Sequence, residues 1–192
     1  MKPSSLVLIA VLIAAPVVGA ESGHEREAEH EAESDNEHDD EHEAEHDLGA
    51  HEHGAATLDV VIDGATVYLE FGSPWVNLVG FEHEPSSESE HTAIADAEQQ
   101  LSEAETLFVA EGGDCSASSE AVESERDGNH SEVQASYRLE CTDIDALTAI
   151  DVALMEIWPD IDSLTVQLAG PSGQHQSVLS AEDSSLDLEP VN

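Results

Sequence analysis

Between His24 and His53 the chain carries seven of its eleven histidines, interleaved with carboxylates and almost without apolar side chains. Such a stretch cannot bury a core, because ordering it recovers too little hydrophobic free energy to offset the lost chain entropy. A packed core must therefore come from the residues C-terminal to it. Neutral imidazoles and carboxylates are ligands for divalent metals, so metal handling is the first function to consider. A merely solvated acidic linker is the plain alternative; the histidines set among the acids argue for metal contact. His38, His42 and His46 recur every fourth residue, and a helix would stack them on one face. With His24 and His30 they make a set of flexible, weak sites.

Upstream, Met1 and Lys2 precede an apolar run from Leu6 to Val18 that ends in Val18-Gly19-Ala20. This is the pattern of a secretory signal peptide cleaved after Ala20, too short for a stable membrane anchor. The chain is thus read in three parts: a leader over 1–20, a disordered metal-binding tract over 21–53, and one domain over 54–192. No later segment is long and apolar enough to span a bilayer, which predicts a soluble, exported protein with no membrane insertion after cleavage.

The formal net charge is −40. The domain alone holds 29 acids against Arg126 and Arg138. A field of that sign repels nucleic acid and anionic membrane surfaces and attracts divalent cations. Adaptation to high salt, which screens self-repulsion, is an equal explanation for the acidity of the domain. Cys115 and Cys141 are the two cysteines. In an exported chain an even count most simply gives one disulfide, closing a loop of roughly 26 residues worth about 3 kcal/mol. A pair of thiolate zinc ligands is the rival, without a CxxC spacing to support it.

Patterned sequence begins at Gly54. Leu58, Val60 and Ile62 alternate, Asp63-Gly64 turns, and Val67, Leu69 and Phe71 alternate again, which predicts a β-hairpin ended by Ser73-Pro74. Trp75 to Phe81 reads as one helical turn or a buried loop. From Ser89 to Val109, the stripe Ile94, Ala97, Leu101, Ala104 and Phe108 predicts an amphipathic helix closed by Gly112-Gly113. A short strand is placed around Cys115 to Val122, and a second over Val133 to Cys141. Asp143 is the N-cap of a second helix with Leu147, Ile150, Leu154 and Trp158 inward, stopped by Pro159. Strands are expected next at Leu164 to Leu168, Gln174 to Leu179 and Leu186 to Leu188. The expected fold class is α+β in the order ββαββαββ, with antiparallel sheet covered by two helices.

Candidate ligands cluster around three places. His51 and His53 flank Glu52, and in an extended segment residues two apart point the same way. His83 lies in Gly80-Phe81-Glu82-His83-Glu84-Pro85, rich in carboxylates. His130 precedes the strand that ends at Cys141. A zinc site needs three or four N or O donors from rigid elements, so His51, His53, His83 and His130 are combined, with Glu82 or Glu84 as a carboxylate ligand or outer partner. His91 and His175 read as surface histidines.

Together, His51-Glu52-His53-Gly54, Ser73-Pro74, Val79 to Pro85, Cys115, His130, Tyr137, Cys141 and Gly173-Gln174 resemble the ZrgA-type family of periplasmic, zinc-regulated, histidine-rich proteins of Gram-negative bacteria. The resemblance spans leader, tract and domain, and is most specific around Gly80-Phe81-Glu82-His83. It implies Zn²⁺ binding in the periplasm and support of a high-affinity zinc importer, with components of an ABC importer as partners. It points to His51, His53 and His83, and less directly to His130. The extreme acidity and Trp75 depart from the family pattern.

An enzyme is not expected. His83 is followed by Glu84-Pro85, and Pro85 breaks the helix that an HExxH motif requires; GxSxG and phosphate-binding loops are absent. The competing function is sequestration of copper or nickel in metal resistance, since Cu²⁺ exceeds Zn²⁺ in affinity for most N and O sites.

Overall fold

The architecture comes from a computed structural model that describes residues 53–128 and 130–191. Strict alternation builds its first hairpin. Strand β1 (Ala55–Asp63) buries Ala56, Leu58, Val60 and Ile62 and exposes the residues between them. Strand β2 (Thr66–Pro74) buries Val67, Leu69 and Phe71 on the same side. The turn between them uses Gly64 at φ +61°, a conformation that costs glycine little. This hairpin is the one the alternation predicts.

The chain then makes helix α1 (Val76–Val79), helix α2 (Glu88–Leu101), helix α3 (Ala104–Leu107) and strand β3 (Phe108–Glu111). Next comes a long hairpin, β4 (Cys115–Asp127) and β5 (His130–Cys141). A 3-10 turn (Ile144–Ala146), strand β6 (Ala149–Val152) and helix α4 (Leu154–Ile157) lead into β7 (Ser163–Gly170), β8 (Gly173–Leu179) and β9 (Ser185–Asp187). Six strands form one sheet in the order β4-β5-β2-β1-β7-β8, and three form a second in the order β3-β6-β9. One continuous core lies against the inner face of the large sheet, where Leu58, Phe71, Tyr137 and Val166 are almost fully buried. Phe108 of β3 meets Tyr137 of β5 edge to face, ring centroids 4.8 Å apart.

The fold among the described residues is therefore mostly β, and the expected ββαββαββ arrangement with two covering helices is corrected. Only α2 is a long helix. The first predicted helix ends at Leu101, and Phe108 to Glu111 turns into β3, which pairs with β6. The second predicted helix is replaced by the 3-10 turn, β6 and the single turn of α4. Thr148, Ile150 and Val152 are β-branched and alternate, and β-branched side chains lose rotamer freedom in a helix. Between β3 and β9 this segment gains ladder hydrogen bonds on both sides, so tertiary pairing overrides the spacing of Leu147, Ile150 and Leu154. The large sheet is also mixed, because β1 pairs parallel with β7.

Two details of the β4–β5 hairpin bear on function. Cys115 and Cys141 stand opposite each other in the ladder and form a disulfide. Further along, β4 carries a one-residue bulge at Glu120, between Ser119, opposite Tyr137, and Ala121, opposite Ser136. Beyond it Arg126 is opposite Ser131 and Asp127 opposite His130.

The disulfide closes a separation of 26 residues. Replacing both cysteines by serine should lower unfolding free energy by about 3 kcal/mol, read as a reduced urea midpoint with a steeper slope, because the denatured chain without the cross-link exposes more surface.

Candidate metal centre

One end of the large sheet assembles three of the side chains singled out from sequence. His53 lies one residue, Gly54, ahead of β1. Its place is set by Gly54, which has φ +84° and where a Cβ would run into the Asp162 carboxylate. The Gly54 N–H donates to Asn77 Oδ1 at 2.8 Å. Asn77, in α1 and only 3 % exposed, also donates through Nδ2 to the Ala55 carbonyl at 2.9 Å and to Ser73 Oγ at 3.1 Å. One buried amide thus ties the start of β1 to the end of β2.

Glu82 sits in the loop between α1 and α2. His130 opens β5, and its Nδ1 lies 3.4 Å from Glu82 Oε2. His53 Nε2 approaches the other oxygen, Oε1, at 3.8 Å. The Glu82 side chain is 14 % exposed, whereas His53 and His130 are 72 % and 61 % exposed. Glu82 Oε1 is buried and accepts no hydrogen bond, an arrangement that costs desolvation free energy unless a cation or donor reaches it. The Glu82 backbone is firmly held: its carbonyl accepts from Arg126 Nη1 at 2.8 Å and from Ser131 Oγ at 2.9 Å. Beside the three groups, Glu125, Arg126, Asp127, His130 and Glu132 line a hollow of about 100 Å³.

His83 turns the other way. Its Nε2 lies 3.2 Å from Glu90 Oε1, and its ring packs on Phe81 with centroids 4.9 Å apart. Glu90 Oε2 accepts from the N–H groups of Ser86 and Ser87, at 2.7 and 3.0 Å. Ser87 in turn caps α2 by accepting from the Glu90 N–H, which completes a capping box. The bonds from the Ser86 and then the Ser87 backbone, with His83, pull the Glu90 carboxyl down to about 2. Glu84 is exposed, as are His91 on α2 and His175 on β8. His24, His30, His38, His42, His46 and His51, like the leader, lie outside the described residues.

Of the combined set, His53, Glu82 and His130 come together, while His83 stands with Glu90. A tetrahedral ion with bonds near 2.0–2.1 Å holds neighbouring donors about 3.3 Å apart. The His130–Glu82 spacing fits that edge, and His53 is somewhat wide of it. Among the described residues no three His, Cys, Asp or Glu side chains are already set as a metal cage. Sequence reasoning missed Asn77, Glu90, Arg126 and Ser131. The Ser87-x-x-Glu90 spacing was a signal that could have revealed Glu90. The other three act through backbone atoms distant in sequence.

Imidazoles and one carboxylate on a sheet end are a donor set suited to a borderline divalent cation. The chain belongs to the ZrgA family of zinc uptake proteins, whose family model matches residues 50–188. That agrees with the resemblance read from the sequence, and it describes a zinc uptake protein. No curated protein matches the chain. Among the described residues no helix is long and apolar enough to cross a membrane.

The depressed Glu90 carboxyl sets a pH signature. Its ionised form is favoured in the fold, so its contribution is complete above the ordinary value of 4.5 and is lost as pH falls towards 2. The stability difference between parent and Glu90→Gln should therefore be constant above pH 4.5 and vanish towards pH 2, followed by urea denaturation across that range.

Proposed function

We propose that this protein captures Zn²⁺ in the periplasm, buffers it, and supports its high-affinity uptake by a zinc ABC importer. The ion is held by His53, Glu82 and His130, and His51 is the natural fourth donor, two residues from His53. The supporting observation is the convergence of two imidazoles on a mostly buried carboxylate that has one oxygen without a hydrogen-bond partner. Imidazole selects zinc over the hard ions that the acidic surface attracts. His83 is left out of this ligand set because it is engaged with Glu90.

The histidines of the tract serve as a weak collector. Because the tract is joined to the site at His53, transfer from collector to site is intramolecular and gains from a high effective concentration. Protons compete with metal for imidazole, so acidification releases the ion.

The test is competition with a chelating dye at less than one equivalent of zinc, which reads the tightest site of the leader-free chain. Loss of outer partners of a metal typically costs 10–100-fold in affinity, and loss of a ligand should cost at least about as much. His53→Ala, Glu82→Gln and His130→Ala should each weaken the tightest site by at least roughly tenfold, and His83→Ala by much less. Affinity should fall from pH about 7.5 to about 5.5. Parental affinity in Glu82→Gln, or in both histidine variants, would sink the assignment.

A further inference from the structure

We infer that Arg126 and Ser131 are positioning residues for the metal, acting through the main chain of Glu82; this role rests on the site proposed above. Both side chains donate to one atom, the Glu82 carbonyl oxygen, at 2.8 and 2.9 Å. Both come from the β4–β5 hairpin, where they are opposite each other in the ladder. The same hairpin carries His130, one residue before Ser131. Trp75 donates its N–H to the Ser131 carbonyl at 3.0 Å, which fastens this strand end to the segment preceding the Glu82 loop. The clamp therefore fixes the Glu82 main chain relative to His130, and the two ligands are assembled before metal arrives.

The choice of acceptor matters. A guanidinium bonded to the Glu82 carboxylate would occupy the oxygens that a metal needs. Bonded to the carbonyl instead, Arg126 holds the residue and leaves Oε1 without a hydrogen-bond partner. A carboxylate oxygen buried in that state is costly. With the main chain released, the side chain would turn to water, and zinc would have to reorder it on binding. A planar guanidinium suits this clamp because its directional donors lose little freedom on bonding.

Simple docking of hairpin to loop would produce the same two hydrogen bonds, so the test must separate positioning from packing. Zinc affinity of the tightest site is measured by dye competition in the full leader-free chain for Arg126→Gln, Arg126→Lys, Ser131→Ala and Glu82→Gln. The double variant Arg126→Gln/Glu82→Gln closes a cycle. Near-ultraviolet circular dichroism of each metal-free variant checks that the fold is retained. The expected loss is about tenfold for Arg126→Gln, in line with outer partners of metal ligands. Ser131→Ala should lose less, and Arg126→Lys, which keeps a charged donor without the planar fork, should recover part of the affinity. In the Glu82→Gln background, Arg126→Gln should cost nothing further, because the residue it positions no longer ligates. Parental affinity in Arg126→Gln, or an equal loss with and without the Glu82 carboxylate, overturns the positioning role alone. Parental affinity in Glu82→Gln overturns the site, and this role with it.

Discussion

The side-chain amide of Asn77 is the interaction on which the site end of this structure depends. Its oxygen takes the Gly54 N–H and its nitrogen reaches the Ala55 carbonyl and Ser73 Oγ. The Gly54 carbonyl meanwhile accepts from Asp162 and Ser163, the residues that begin the parallel pairing of β7 with β1. A single residue, Gly54, is therefore held on both sides, by α1 through its N–H and by the β7 entry through its C=O. The central strand of the large sheet starts there, and His53 leaves the sheet there. Fold and site share one anchor, which explains why a buried polar side chain is kept at the edge of an otherwise apolar core.

Legibility in the sequence tracked the range of the interactions. The β1–β2 hairpin was readable because its register is local: alternation sets the faces and Asp63-Gly64 sets the turn. Cys115 and Cys141 form the disulfide expected of an even cysteine count. Of the β3–β6–β9 sheet only β9 was readable, as a strand at Leu186 to Leu188; β3 and β6 were not, since Phe108, Ile150 and Leu186 lie far apart and each run is only three or four residues long. For runs that short, spacings of three and four fit a helix and a broken chain equally well. The site divided the same way. His53, Glu82 and His130, which the fold brings near one another, are candidate donors by residue type and setting. The direction in which His83 points could not be read, because Phe81 and the capping box at Ser87 decide it.

Charge and ligation are separate features of this molecule. Asp59 and Glu70 stand directly opposite each other on the outer face of the large sheet, with Gln167 and Ser136 as their further neighbours. Facing like charges in a ladder oppose folding, and salt screening relieves such exposed pairs. The site uses charge differently. There a carboxylate is 14 % exposed and its main chain is held by one of the two arginines of the domain. The bulk acidity belongs to the solvent side, and the grouping of His53, Glu82 and His130 to one sheet end.

The bulge at Glu120 acts as a parity switch. Strand side chains alternate, so one inserted residue exchanges the faces of everything beyond it. Between the disulfide and the bulge, odd-numbered residues of β4 stand opposite the buried residues of β5; past the bulge, even-numbered ones do. Were the ladder unbroken from Cys115, Glu125 would oppose Ser131 and Arg126 would oppose His130. An acid would then face the Glu82 carbonyl, and the guanidinium would crowd the imidazole. A single surplus residue, several turns of pleat away from His130, thus decides which side chain of β4 stands opposite Ser131.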